Sequence, residues 1–205
     1  GIAVPMENAV LLPLSGLCLG IALAGGVSEI AGDRSRREQL FLIVIYAAFC
    51  VLAALPIVRS TGDDAVVLYL PLMLVALLAL PPAIYHYVLA KTGNHAVGLI
   101  RRRHLVLPSI GFATCLGFWV LPNDIKKTLF IVGDLPAQTF PTVLVLVTFA
   151  LLMLWLAASG IYLFSTLKRL RVYRIEIREL YSNLDRRDFR WIDFVMVLFV
   201  AIWVV

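Results

Sequence analysis

Charged residues are scarce in this chain and are missing from the middle of every long apolar run. Only 15% of its 205 residues are charged, 61% are hydrophobic, and the mean hydropathy is +0.94. A soluble domain of this size carries more charge and less apolar content, so the composition indicates a membrane protein. Proton pumps and ion-coupled transporters need ionisable groups along their path, and the lack of such groups argues against those two classes.

The chain also lacks the short motifs that carry common chemistry. It contains no HExxH, GxSxG, Walker or CxxC pattern, which argues against metalloprotease, serine-hydrolase, nucleotide and dithiol chemistry. Its cysteines, Cys18, Cys50 and Cys115, lie inside apolar runs, have no metal-ligand spacing and cannot all pair. We therefore expect no enzymatic activity, no metal site and no cofactor.

Positive charge is concentrated in three short segments. Three Arg lie in 34–37, four Lys or Arg in 91–103 and eight in 168–190, whereas the other connectors carry only Arg59 and 126–127. Positive loops stay on the cytoplasmic side of a membrane. Because the basic segments alternate with apolar runs, they predict a multi-pass topology and its sidedness. This bias explains the net charge of +5, so we expect no nucleic acid to bind these residues.

Apolar runs of about 20 residues, the length that crosses a bilayer, recur along the chain. We predict spans at 8–31, 39–58, 65–90, 105–121, 139–167 and from 191 onward. The first, third and fifth spans each end in a basic segment, which places the N-terminus outside. Pro71, Pro81 and Pro82 are expected to kink the third span. The predicted fold is an all-α, polytopic membrane helical bundle of six visible spans.

The sixth predicted span is incomplete, since only fifteen residues remain from Trp191 to Val205. That length falls short of the roughly 20 residues needed to cross a bilayer. We therefore treat 1–205 as one transmembrane domain with a cytoplasmic helical hairpin at 168–190. We expect further protein to follow it.

An apolar stripe with three- and four-residue spacing runs through that hairpin: Leu170, Tyr173, Ile177, Leu180 and Leu184. Such spacing is typical of a coiled-coil seam, and it predicts that the fifth span continues as one helix to about Tyr181. Ser182 and Asp185 form a capping box that opens the helix of Trp191. Two interpretations stay open for the hairpin: a signal-relaying stalk, or a basic helix lying against anionic lipid headgroups.

Small residues recur at every fourth position of the first span, at Gly16, Gly20 and Ala24. This spacing lets two helices approach closely in lipid. The stripe predicts a helix-packing face, either against another helix of the same chain, which we favour, or between two copies in a homodimer.

Candidate ligand-binding residues are aromatic or imidazole side chains in the predicted spans. His86 lies between Tyr85 and Tyr87 near the inner end of the third span, and Trp119 and Trp155 lie in the fourth and fifth. An ionisable group inside a membrane is a functional candidate. Amphipathic rings also settle at the membrane interface, and the position of His86 favours that role over ligand binding.

The other two histidines, His95 and His104, fall in the second basic segment. Their spacing does not place them on one helical face, since nine residues is neither three, four nor seven. We expect both to be loop residues with mild lipid contact.

Two stretches resemble a known module. PPAIYHYV at 81–88 is followed by KTG at 91–93 and RHLVLP at 103–108, and RIEIRELYSNLDRRDFRWI occupies 174–192. Together they resemble the membrane-embedded N-terminal half of bacterial regulators with a C-terminal AraC-type helix-turn-helix domain; related modules precede histidine kinase or diguanylate cyclase domains. The resemblance implies seven spans and a cytoplasmic effector domain downstream, which these 205 residues do not contain.

The expected function is that of a sensory, signal-transducing transmembrane module. A ligand or membrane signal would change the packing of the fifth and sixth spans, and the hairpin would pass the change to a cytoplasmic output domain. Two alternatives stay open: part of a membrane transporter or enzyme, and a structural subunit that packs against partner membrane chains.

Overall fold

The computed structural model describes residues 6–31, 36–92 and 103–180. Every regular element in these ranges is a helix: α1 (Met6–Ala31), α2 (Arg36–Ala53), α3 (Leu55–Thr61), α4 (Asp63–Lys91), α5 (Arg103–Val120), α6 (Asn123–Lys127), a π-helical turn (Thr128–Val132) and α7 (Thr139–Leu180). The prediction of an all-α fold is therefore confirmed for the part of the chain that the structure describes.

Three helices, α4, α5 and α7, are long and apolar enough to cross a membrane. The pair α2 and α3 passes the same test jointly but is bent by 43°, so the number rises to four if this pair is one span. In α1 the apolar stretch is shorter, from Leu11 to Val27. The chain thus has the architecture of a membrane protein, while the sixth predicted span lies outside the described residues.

Prolines lie in both the second and the third predicted spans, and the helix is interrupted in the second; the kink at Pro71, Pro81 and Pro82 stays a prediction. Helix α4 contains Pro71, Pro81 and Pro82 and still runs without interruption from Asp63 to Lys91. The chain instead breaks at Ala54, two residues before Pro56. A proline clashes with the residues before it and cannot donate its own hydrogen bond, which explains why α2 ends there.

Helix α4 lies at the centre of the bundle and packs against α2, α5 and α7. Its Leu74 and Leu78 form a buried cluster with Leu151 of α7. Gly111 of α5 lies directly against Leu78, and a Cβ at this position would overlap the leucine side chain. The absence of a side chain at Gly111 therefore allows α5 to approach α4 closely.

Beyond this core the bundle is lined by apolar side chains that no other described helix covers. On α7 alone, Leu146, Phe149, Ile161 and Phe164 are each more than 60% exposed. Exposed patches of this size are unfavourable in water and are the normal surface of a helix in lipid. The exposure pattern supports the membrane assignment independently of helix length.

The opposite end of the bundle from the α4 C-terminus is closed by a second cluster. Phe118, Leu121 and Leu144 are buried there, and Phe130 of the π-helical turn packs on Phe118 with ring centroids 5.2 Å apart. An ion pair of 2.8 Å between the Lys127 amine and the Asp64 carboxylate ties α6 to the first turn of α4. The connection between α5 and α7 is therefore a folded cap.

Candidate functional site

Aromatic and imidazole rings from four helices meet near the C-terminal end of α4. His86 of α4 stacks on Phe41 of α2 at 5.3 Å between centroids, and His104 of α5 meets His86 edge-on at 4.8 Å. Tyr162 of α7 contacts both His104 and Tyr85, at 5.6 Å each. We call these five residues the ring cluster, and it joins α2, α4, α5 and α7 at one level of the bundle.

A hydrogen bond within the ring cluster connects α5 to α7. The Tyr162 hydroxyl and His104 Nδ1 are 2.6 Å apart, and the tautomer of His104 decides which group donates. His104 was expected to be a loop residue, and this prediction was wrong. Helix α5 begins at Arg103, so His104 occupies its first turn and packs against α4.

His86 is buried, with 6% of its surface exposed. This does not fit a ring that rests at the lipid interface, the role that the sequence favoured. Its neighbours Tyr85 and Tyr87 are half-buried on the same helix. Of the predicted ligand-binding residues, the structure therefore brings His86 and Tyr85 together and adds Phe41, His104 and Tyr162, which the sequence did not single out for that role.

Trp155 and Trp119, the other two candidates, lie in different places. Trp119 is 41% exposed, and its Nε1 donates to the Leu68 carbonyl at 3.0 Å, far from the ring cluster in sequence and fold. Trp155 packs against the Leu74, Leu78 and Leu151 cluster. It lies seven residues before Tyr162 on α7, so both side chains face α4.

Three buried polar atoms on this part of the molecule have no hydrogen-bond partner: His86 Nε2, Trp155 Nε1 and Ser159 Oγ. Ser159 is 6% exposed and lies one turn from both Trp155 and Tyr162. Buried polar groups in proteins are nearly always hydrogen-bonded, and leaving one unpaired costs about 1–3 kcal/mol. The concentration of such atoms in one region distinguishes it from the apolar core beside it.

A further polar contact fixes α7 to the end of α4. The Arg169 guanidinium donates through Nη2 to the Thr92 carbonyl at 2.8 Å and through Nε to Thr92 Oγ1 at 3.0 Å. Thr92 is 5% exposed and its backbone N–H closes the last turn of α4 on Val88. A cation at this place also interacts favourably with the negative end of the helix dipole. We call this contact the Arg169 clamp.

The Arg169 clamp was not predicted from the sequence. The sequence pattern that could have predicted the clamp is a polar stripe on α7, spaced by three and four residues: Ser159, Tyr162, Thr166 and Arg169. Ser159 and Thr166 are buried, and Tyr162 and Arg169 make the contacts described above. Such a stripe marks the face of a membrane helix that points into the protein.

The predicted relay residues are only partly described. Leu170 and Tyr173 are half-buried on α7, and Ile177 and Leu180 lie on the same helix. Ser182, Leu184 and Trp191 lie outside the described residues. The prediction that one helix continues to about Tyr181 is confirmed as far as Leu180.

Within 6–31, 36–92 and 103–180, no residue covers the predicted small-residue face on α1. A Cβ built at Gly16 or Gly20 would meet no atom within 4 Å, and Ala24 is exposed. Among the described residues, the glycine that permits packing of α1 on α2 is Gly25, where a Cβ would lie 2.7 Å from the Tyr46 ring. We favoured packing of this face against another helix of the same chain. The described helices do not show that contact.

No group of three or more His, Cys, Asp or Glu side chains within the described ranges could hold a metal ion.

The sequence and structure were also compared with known proteins. No family model, no curated protein and no solved structure matches the chain.

Proposed function

We propose that the chain is a signal-transducing transmembrane module in which α7 carries a change of packing from the ring cluster to a cytoplasmic stalk. The observation that carries the proposal is the continuity of α7. One unbroken helix contains Tyr162 in the ring cluster, Arg169 in the clamp and the predicted relay residues up to Leu180. A movement of α7 at Tyr162 is therefore transmitted along the helix to Leu180.

The length of α7 supports this role. It has 42 residues, which corresponds to about 63 Å at 1.5 Å per residue. The hydrocarbon core of a bilayer is only about 30 Å thick, so α7 extends well beyond it. Because Arg169 is level with the end of α4, the segment from Leu170 to Leu180 extends beyond the end of that helix.

Unpaired polar atoms in and beside the ring cluster support a two-state device. A ligand shifts a conformational equilibrium only if it binds the two packings with different affinity. His86, Trp155 and Ser159 each have a polar atom without a partner in the described protein, and a bound molecule that pairs with these atoms would gain the free energy of those hydrogen bonds. A molecule that pairs with them would stabilise one position of α7 relative to α4.

The topology of the proposal has six spans, an outside N-terminus and an inner end formed by the termini of α4 and α5. Lys91, Arg103 and Lys168 are exposed at that end. At the other end the cations Arg59, Lys126 and Lys127 are outnumbered by the carboxylates of Asp63, Asp64, Asp124 and Asp134. This distribution follows the positive-inside rule. The location would be a bacterial inner membrane, with a cytoplasmic effector domain downstream, as the resemblance to AraC-type membrane regulators implies.

Cysteine accessibility tests the sidedness. Asp134→Cys in the outer cap and Val172→Cys on the stalk would be introduced singly with Cys18, Cys50 and Cys115 replaced by alanine. In intact cells a membrane-impermeant maleimide should label position 134 and reach position 172 only after lysis. Labelling of position 172 in intact cells would contradict a cytoplasmic stalk.

Substitution of the stalk tests the relay itself. Replacing Leu170, Ile177, Leu180 and Leu184 with Ser should uncouple the output of the intact protein from its signal, because the apolar seam is lost. Matched Ser substitutions at Phe164 and Ile161, which are exposed toward lipid, serve as the control. An unchanged output in the stalk variant would refute the relay.

A second function, that of a subunit assembling with another membrane chain, is favoured by the open face of α1. Gly16, Gly20 and Ala24 permit a close helix–helix approach, and neighbouring Leu17 and Ile21 are over 60% exposed. Mass photometry in nanodiscs tests a homodimer. Gly16→Leu with Gly20→Leu should convert dimers to monomers, and monomers in the unmodified protein would exclude this use of the face.

A further inference from the structure

The three unpaired polar atoms can all donate a hydrogen bond. An indole Nε1–H can only donate, whereas a serine hydroxyl and a neutral imidazole Nε2 can donate or accept. A partner must therefore place an acceptor at Trp155, and Ser159 and His86 can each donate to an acceptor beside them.

Their surroundings restrict the partner further. All three residues lie within helices that are long and apolar enough to cross a membrane, so a ligand has to be soluble in hydrocarbon. The rings of Phe41, Tyr85 and His104 contact His86, and Tyr162 packs on Tyr85 and His104. Aromatic walls favour a flat ring through offset or edge-to-face contacts.

We propose that the region between the ring cluster and Trp155 binds a membrane-soluble quinone in its oxidised form. A quinone is a flat ring with carbonyl acceptors on opposite edges and no ring hydroxyl. One carbonyl would accept from Trp155 and Ser159 of α7, and the other from His86 of α4. This assignment rests on the proposed function, since the quinone would be the molecule that fixes α7 relative to α4.

The same chemistry gives the site a redox preference. The reduced form carries two hydroxyl groups in place of the carbonyls, and the hydroxyl at Trp155 brings a donor that meets an indole unable to accept. Such a mismatch leaves a buried donor unpaired, which lowers affinity. The site would therefore distinguish oxidised from reduced quinone without itself transferring electrons.

Binding would be measured with tritiated decylubiquinone and the full chain in nanodiscs, using empty nanodiscs to subtract partition into lipid. We expect saturable binding at one quinone per chain. Trp155→Phe keeps an aromatic ring and loses the donor, and Ser159→Ala loses the hydroxyl; each should weaken binding about fivefold. The matched control is Trp119→Phe, whose indole already donates to Leu68, and it should leave the affinity unchanged.

Three results would overturn the proposal. These are no saturable binding above the empty nanodiscs, equal effects of Trp155→Phe and Trp119→Phe, and equal affinity for the oxidised and reduced forms. Circular dichroism and gel filtration of each variant establish that it is folded before its affinity is compared. The relay through α7 is tested separately, with spin labels and without quinone. A failure of the quinone assignment therefore does not decide whether the relay exists.

Discussion

Removing the Arg169 clamp should loosen the last turn of α4. Arg169→Met keeps much of the side-chain volume but loses the hydrogen bonds of 2.8 and 3.0 Å to Thr92. A hydrogen bond from a charged group is worth about 1.5–3 kcal/mol, and partial exposure of Arg169 reduces the sum to about 3 kcal/mol. Since 1.4 kcal/mol is a factor of ten, local opening should become about 100-fold more frequent.

Hydrogen exchange of the Thr92 amide in nanodiscs measures this opening, because that amide donates to the Val88 carbonyl at 3.0 Å. Thr92→Val retains the carbonyl contact of Arg169 and should accelerate exchange only about fivefold. Arg171→Met removes an exposed cation two residues away and should change exchange less than twofold. If Arg169→Met and Arg171→Met gave the same exchange rate, the clamp would have no energetic role.

Two further predictions concern stability. Gly111→Ala should lower the free energy of unfolding by about 1–3 kcal/mol, because the added Cβ overlaps Leu78 in the core. Gly16→Ala places its Cβ where no described atom lies within 4 Å and should be neutral or stabilising. Equal midpoints of the two variants in a denaturant titration would contradict the packing of Gly111 on Leu78. The hydrogen bond to Asp64 raises the pKa of Lys127. The contribution of this pair to the stability of the fold is therefore present below the usual lysine pKa and is lost only as pH rises through the raised pKa. The difference in free energy of unfolding between Lys127→Ala and the unmodified protein should therefore stay constant from about pH 6 to 9. A change within that window would refute the raised pKa of Lys127.

The ends of several helices could be predicted from the sequence because local signals define them. The predicted spans at 65–90 and 105–121 correspond to α4 (Asp63–Lys91) and α5 (Arg103–Val120). Gly62 precedes α4 with a φ of 122°, a conformation that glycine adopts at little cost. Length, apolar runs and turn residues thus suffice for α4 and α5, whereas the break at Ala54 within the predicted span 39–58 was not foreseen.

The ring cluster could be predicted only in part. Tyr85 and His86 were recognised because they lie together on one helix, but His104 and Tyr162 are 58 residues apart in sequence. Their meeting depends on how α5 and α7 are rotated against α4, which is fixed by packing such as that of Gly111 on Leu78. Local patterns do not contain that rotation. His104 was assigned to a loop because the predicted span began at 105, whereas α5 begins at Arg103.

The Arg169 clamp was missed for a related reason. Arg169 belongs to the basic segment 168–190, where charge is expected from topology alone. Its contact with Thr92 requires the end of α4 to lie at the level of that residue, which the sequence does not specify.

The measurement that tests the central claim most directly is the distance between the end of α4 and the stalk. Spin labels at Lys91→Cys and Val172→Cys, with the native cysteines replaced by alanine, report this distance by pulsed electron resonance in nanodiscs. Tyr162→Phe removes the hydroxyl that contacts His104 and keeps the ring. Arg169→Met establishes that the labels detect release of the stalk, and Phe164→Leu on the lipid-facing side is the control.

If α7 relays changes from the ring cluster, Tyr162→Phe should shift or broaden the distance distribution relative to Phe164→Leu. A distribution identical to that of the unmodified protein, with a clear response to Arg169→Met, would show that the ring cluster and the stalk are not coupled.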